Sequence, residues 1–203
     1  MLNLLAKIFI KNETEKLKIK LQELLNKYIL EKNEYTTLMK SVLIIGEDHR
    51  YFSHNGVDPI AILRILWKRF RYSIIEGGST IEQQLVRTIT GNYDKKISRK
   101  IREILLASTL SSYLSKNDIA CLYLKCAYFG WDLIGLKKAC NILSIPLDTN
   151  NITEAASVIS RLKYPQPKQF SLSKYHKIYR RTLYIRNRYE KLSTTFIKRD
   201  KLL

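Results

Sequence analysis

The stretch Gly77-Gly78-Ser79-Thr80-Ile81-Glu82-Gln83-Gln84-Leu85-Val86-Arg87-Thr88-Ile89 decides how the rest of the chain is read. Two glycines punctuate the sequence, Ser79 or Thr80 is placed to cap a helix, and residues 81–89 continue in a helix-forming pattern. A helix start of this kind offers unpaired backbone N–H groups beside hydroxyls, a geometry that suits an anionic oxygen. Gln83 and Gln84 follow one turn on, and Arg87 lies a further turn beyond Gln83. Taken alone, Ser-Thr after two glycines reads first as a plain cap.

Downstream, a loop over 91–96 leads into a second predicted helix from about Ser98 to Leu114. Lys95 and Lys96 precede it, and Arg99, Lys100, Arg102 and Glu103 stand in its first turns. A cluster like this is usually a solvated face, and Arg99 with Glu103 at i+4 is usually a surface pair worth a few tenths of a kcal/mol. A pyrophosphate ligand would give the cluster a purpose, because Arg makes bidentate phosphate contacts and Lys supplies a point charge. Further helices are expected over 116–128, 133–143 and 153–163, the last stopped by Tyr164-Pro165-Gln166-Pro167. From Lys174 onward the chain is basic with a helical pattern.

Upstream, residues 12–33 place Leu17, Leu21, Leu24, Leu25 and Tyr28 at helical spacing and read as one amphipathic packing or spacer helix. The apolar run from Tyr35 to Ile45 then meets Gly46-Glu47-Asp48-His49-Arg50, so a buried segment delivers charged groups abruptly. Glu47 is the natural general base: the apolar Val42–Ile45 run and the neighbouring Asp48 favour proton acceptance, while Arg50 opposes it. His54 reads as a structural histidine or a partner-orienting one. Residues 59–75 mix Ile60, Leu63, Leu66, Trp67 and Phe70 with Arg64, Lys68, Arg69 and Arg71, which suits either a membrane interface or a core helix with snorkelling basic ends.

The bulk numbers frame these pieces. A chain of 203 residues supports one well-buried domain with at most a small subdomain. Lys plus Arg number 36 against 18 Asp plus Glu, a net charge of +18, so an anionic partner is expected: nucleic acid, anionic membrane or a phosphorylated substrate. Seven Gly and four Pro argue for a mostly α fold. Cys121, Cys126 and Cys140 show neither disulfide nor zinc spacing, so no metal site is read from them. The apolar residues 1–10 are interrupted by Asn3 and Lys7 and are fewer than the roughly 20 needed to span a bilayer. No clear signal peptide or transmembrane helix is recognised, and any membrane contact should be peripheral.

Three motifs occur together in order. Glu47 and Asp48 with Phe52, His54, Gly56 and Asp58 stand against the pattern E-D-x-x-F-x-x-H-x-G, with one residue fewer between Phe52 and His54. Residues 77–85 match G-G-S-T-I-T-Q-Q except that Glu82 replaces threonine, and Arg99-Lys100-x-x-Glu103 matches R-K-x-x-E. A weaker fourth match runs through Tyr123-Leu124, Phe129-Gly130 and Glu154-Ala155-Ala156 to Pro165. By these motifs the chain resembles the family 51 glycosyltransferases, which comprise the monofunctional peptidoglycan transglycosylases and the polymerase domains of class A penicillin-binding proteins.

The resemblance implies a lysozyme-like helical domain over 35–185 with a small membrane-facing jaw at about 57–76, flanked by a helical segment 1–34 and a basic tail 186–203. It implies that lipid II is polymerised into glycan strands by inverting transfer from an undecaprenyl-pyrophosphate donor, with lipid II and a lipid-linked glycan chain as substrates. Glu47 would take the proton from the acceptor sugar's 4-hydroxyl, and Glu103 would be the second essential carboxylate on the leaving-group side. Ser79, Gln83, Gln84, Arg87, Lys95, Arg99 and Lys100 would hold the donor pyrophosphate, with Asp48, Phe52, His54 and Thr80 completing the substrate-binding set. No tightly bound cofactor is implied; Mg2+ or Mn2+ at the pyrophosphate is the one candidate ion. Partners would include the membrane surface, reached through 59–75, and cell-wall synthesis proteins, at the outer face of the bacterial inner membrane.

This chain departs from the family at Arg87, where lysine is usual, at Lys125 in place of asparagine, and at Cys121 in place of glutamate. A catalytically weakened or silent relative and a lysozyme-like hydrolase are therefore the alternatives. A hydrolase has no use for cations aimed at pyrophosphate. Nucleic-acid binding, suggested by charge alone, lacks a reading motif and leaves Glu47 and Glu103 without purpose.

Overall fold

The computed structural model describes residues 2–28, 35–73, 77–94 and 96–200, with side chains described over 11–27, 35–73, 77–94 and 96–192. Among them the chain forms nine α-helices and one two-stranded hairpin, so the mostly α class expected from the sequence is what the structure has. In order the helices are α1 (Leu2–Tyr28), α2 (Thr37–Glu47), α3 (Pro59–Tyr72), α4 (Ile81–Thr90), α5 (Ile97–Tyr113), α6 (Lys116–Cys126), α7 (Leu136–Ile142), α8 (Ile152–Lys163) and α9 (Leu172–Asp200). The hairpin pairs β1 (Tyr128–Gly130) with β2 (Leu133–Ile134) in antiparallel fashion between α6 and α7.

The chain divides into two compact units, one of Met1–Lys32 with Arg50–Leu122 and one of Asn33–His49 with Tyr123–Leu203. In the first, α1 and α4 pack with α5 over a core of Leu17, Leu21, Ile81, Leu85, Val86, Leu106, Ala107 and Leu110. Gly56 closes this unit's loop onto α5: its φ is +82°, and a Cβ there would come within 2.3 Å of Ala107 O, so no side chain is tolerated. In the second unit, α2, α8 and α9 bury Val42, Leu43, Ile45, Ala155, Ala156, Val158, Ile159, Ile178 and Ile185 against one another.

Local chemistry sets the helix ends. Thr80, rather than Ser79, caps α4, its hydroxyl accepting the Gln83 N–H at 3.2 Å and donating to Gly56 O at 2.7 Å. Asp58 caps α3, accepting from the N–H groups of Ile60 and Ala61, and Pro59 fills the first helical position, where its missing N–H costs nothing. Asn151 caps α8 in the same manner.

Two expectations are corrected. The helices read over 116–128 and 133–143 are shorter, because the intervening backbone pairs elsewhere: Trp131 N–H donates to Gln166 O and Gln166 N–H to Phe129 O, both at 2.9 Å. The Pro165-Gln166-Pro167 segment thus acts as a pairing edge for the hairpin as well as a helix stop. The core-helix alternative for 59–75 is also not what forms. On α3 only Ala61 is buried, while Leu63, Leu66, Trp67 and Phe70 lie exposed, Phe70 at 93%. Residues 74–75 of that stretch lie outside the described residues.

Candidate functional site

In the first unit, the last turn of α4 and the first two turns of α5 converge on one carboxylate. Glu103 is buried, its side chain 3% exposed, and accepts from three cations. Arg87 on α4 forks it, Nη2 to Oε1 at 3.0 Å and Nε to Oε2 at 3.1 Å. Lys100 Nζ reaches Oε1 at 2.7 Å, and Arg99 Nη1 donates to Oε2. Helical geometry explains the convergence: Arg99 and Lys100 precede Glu103 by four and three residues, so all three share one face of α5. Lys100 also bonds Ser79 Oγ at 2.9 Å and Gln83 Oε1 at 2.6 Å, and Arg87 Nη2 lies 3.3 Å from Ser79 Oγ.

Three cations around one carboxylate leave two positive charges uncompensated, which is the electrostatic requirement of an anion site. Arg99 with Glu103 is thus a shielded pair rather than the surface pair its spacing suggests. Burial pushes the Glu103 carboxyl toward protonation, but hydrogen bonds from Arg87 and Lys100 outweigh it and hold the group below the ordinary glutamate value of 4.5. Burial lowers the Lys100 ammonium from its ordinary value, Glu103 opposes that, and Arg87 and Arg99 add to it. A carboxylate whose folded value is lowered stabilises the fold at pH above its unfolded value, and loses that contribution as pH falls through the folded value. The thermal midpoint should therefore decline below the ordinary value of 4.5 in the wild type, and less steeply in Glu103→Gln. Equal acid slopes for the two proteins, followed by thermal unfolding, would count against this.

A cavity of about 440 Å3 opens between α1, α4 and α5, with Arg87, Arg99 and Glu103 in its wall and Lys16 and Lys20 contributed by α1. That volume lies in the range of ligand pockets, about 300–1,000 Å3. On the same side Arg102 reaches Glu13 of α1 at 3.5 Å.

The structure brings Ser79, Gln83, Arg87, Arg99, Lys100 and Glu103 together. Thr80 is spent on the cap and on Gly56, so Ser79 supplies the hydroxyl that meets the cations. Gln84 is half-buried on α4, and Lys95 lies outside the described residues.

Around the first motif, Tyr51 rather than Phe52 takes the aromatic position, four residues after Glu47 and three before His54. Tyr51 is fully buried, its hydroxyl donating to Lys116 O at 2.8 Å, whereas Phe52 is half-buried and meets the Tyr51 ring edge-on at 5.4 Å. Counting from Glu47 instead of matching the letter F finds it. His54 is buried, its ring 6.3 Å from that of Tyr51. Asp58 pairs with Arg50 at 3.0 Å; burial raises its carboxyl, but the Ala61 N–H and Arg50 together hold it below the ordinary value.

In the second unit, Glu47 is the last residue of α2 and Asp48, buried, follows as the C-terminal cap with its N–H on Ile44 O at 2.8 Å. Arg181 of α9 pairs with Glu47, Nη2 to Oε1 at 3.2 Å, and the same nitrogen donates to Gly46 O. Arg50, which the sequence set beside Glu47, is engaged by Asp58. Lys125 is buried, with its ammonium 5.8 Å from the centre of the Tyr35 ring.

The Transglycosylase family model matches residues 13–190, covering both units. A monofunctional glycosyltransferase of Staphylococcus saprophyticus is 29% identical over 146 residues, 68% of this chain and 53% of that protein. Penicillin-binding protein 1B of Haemophilus influenzae is 38% identical over 97 residues, 47% of this chain and 12% of the other, and penicillin-binding protein 1A of Vibrio cholerae is 40% identical over 98 residues, 48% and 12%. The matched stretch thus spans about half of the first relative and about an eighth of the others. With the match running over most of the chain and the three motifs inside the matched range, the chain belongs to the transglycosylase family.

Proposed function

We propose that this chain is a peptidoglycan glycosyltransferase that polymerises lipid II into glycan strands on an undecaprenyl-pyrophosphate donor. One observation carries the reading: a buried carboxylate, Glu103, holds Arg87, Arg99 and Lys100 in a fixed array with two positive charges in excess. Such an array is matched to a leaving group whose negative charge grows as the glycosidic bond breaks. Ser79 and Gln83 orient Lys100 within it. Glu47 accepts the proton of the acceptor's 4-hydroxyl, and that oxygen attacks the donor's anomeric carbon from the side opposite the departing pyrophosphate, which inverts the centre.

A divalent ion is poorly matched to Glu103 itself. Oε1 already takes Arg87 and Lys100, and Oε2 takes Arg87 and Arg99, so neither oxygen is open to a metal and no step is assigned to one. Among the described residues no helix is long and apolar enough to cross a membrane. Membrane contact is assigned to α3, whose exposed Leu63, Leu66, Trp67 and Phe70 lie among Lys68, Arg69 and Arg71. The outer face of the bacterial inner membrane is then the site of action, with cell-wall synthesis proteins as candidate partners.

Purified protein given lipid II in detergent should form glycan chains resolvable by size. Arg99→Ala with Lys100→Ala should weaken binding of undecaprenyl pyrophosphate about 10²–10⁴-fold, since each of the two charge-assisted bonds contributes about 1.5–3 kcal/mol. Wild-type protein that only shortens existing strands would favour the hydrolase, and donor binding without turnover would favour a silent relative.

A further inference from the structure

α9 crosses the last turn of α2 at Gly46. A Cβ on Gly46 would stand 3.0 Å from Ile185 Cδ1 and 3.5 Å from Ile159 Cγ2, so the missing side chain is what lets the two helices lie this close. Ile185 is fully buried there. Thr182, three residues earlier and on the same side of α9, is fixed as well: its Oγ1 lies 3.0 Å from Ile178 O and 3.2 Å from Ser160 Oγ. With α9 pinned at both points, Arg181 has little freedom to move.

Its Nη2 donates to two acceptors at once, the Glu47 carboxylate at 3.2 Å and the carbonyl of Gly46. That carbonyl is among the last of α2, which have no partner within the helix. One nitrogen therefore ties the side chain of Glu47 to the backbone that carries it. The guanidinium is backed by the Tyr184 ring, 5.0 Å from its centre, and the Glu47 and Arg181 side chains are only 12% and 14% exposed.

We infer that Arg181 is the positioning residue of the general base: it selects the rotamer in which Glu47 presents its proton-accepting oxygen. The role rests on Glu47 being the base. Fold stability alone is a weak reason for such a contact, because a mostly buried ion pair contributes little net stabilisation over an apolar pair of similar volume. A general base, by contrast, loses rate steeply when displaced, about 100-fold for 1 Å.

The test compares kcat and KM on lipid II, with thermal midpoints, for wild type, Arg181→Met, Arg181→Lys and, as a control on the same helix, Arg186→Met. Arg181→Met should lose about 100-fold in kcat with KM changed by less than about two-fold, the signature of an interaction needed in the transition state rather than in binding. Arg181→Lys should recover about ten-fold of that loss, since it keeps the charge without the planar fork. Arg186→Met should match wild type. An Arg181→Met protein with wild-type kcat, a loss carried by KM, or a loss that Lys does not relieve overturns the role. Wild-type protein that makes no polymer overturns the polymerase reading itself, and this role with it, so the two failures are distinct.

Discussion

Glu47→Gln is expected to abolish glycan polymerisation, lowering the rate by about 10²–10⁴-fold, the range that a positioned general base supplies. Glutamine keeps the size of the side chain and an oxygen that accepts from Arg181 Nη2, so the α2 end and its contact with α9 should persist. What it removes is the ability to take a proton at that oxygen. The variant should therefore unfold within a few degrees of wild type and still bind undecaprenyl pyrophosphate, whose proposed ligands are Arg87, Arg99 and Lys100. Size-resolved products from lipid II, with a thermal melt on the same preparation, make the measurement. Chains formed by the Glu47→Gln protein at the wild-type rate would remove Glu47 from the mechanism, and chemistry would have to be sought elsewhere in the site.

Much of this site was legible in the sequence because its signals are local. The α4 cap and the i+3 and i+4 relation of Lys100 and Arg99 to Glu103 depend on residues within one or two turns of one another. What the sequence concealed is non-local. Arg181 lies 134 positions from Glu47, and only the packing of α9 over Gly46 brings it there. The hairpin at 128–134 depends on a backbone partner, Gln166, that no periodicity in that segment announces. Arg87 is intermediate, in that its charge and helical position were readable but its fork onto Glu103 required the packing of α4 on α5.

Glu82 is the clearest non-local case, and it yields the prediction with the largest expected effect on stability. The family pattern has threonine at this place; here a carboxylate stands fully buried, 0% exposed, in the first turn of α4. A buried carboxylate with no counter-charge is not sustainable in a folded core. The counter-charge comes from the start of α6, where Lys116 Nζ donates to Glu82 Oε1 and lies 4.3 Å from the centre of the Tyr51 ring. Tyr51 closes the arrangement by donating to Lys116 O at 2.8 Å. Lys116→Met removes the cation and leaves the carboxylate in place, so it should cost about 3–5 kcal/mol, as breaking one side of a buried pair does. Glu82→Thr with Lys116→Met removes both charges together and should recover most of that loss, since the pair itself contributes little beyond an apolar replacement. Chemical denaturation of the two variants beside wild type measures this directly. If Lys116→Met alone unfolds like wild type, or if the double variant is no more stable than the single, Lys116 is not what allows an acid to replace threonine here.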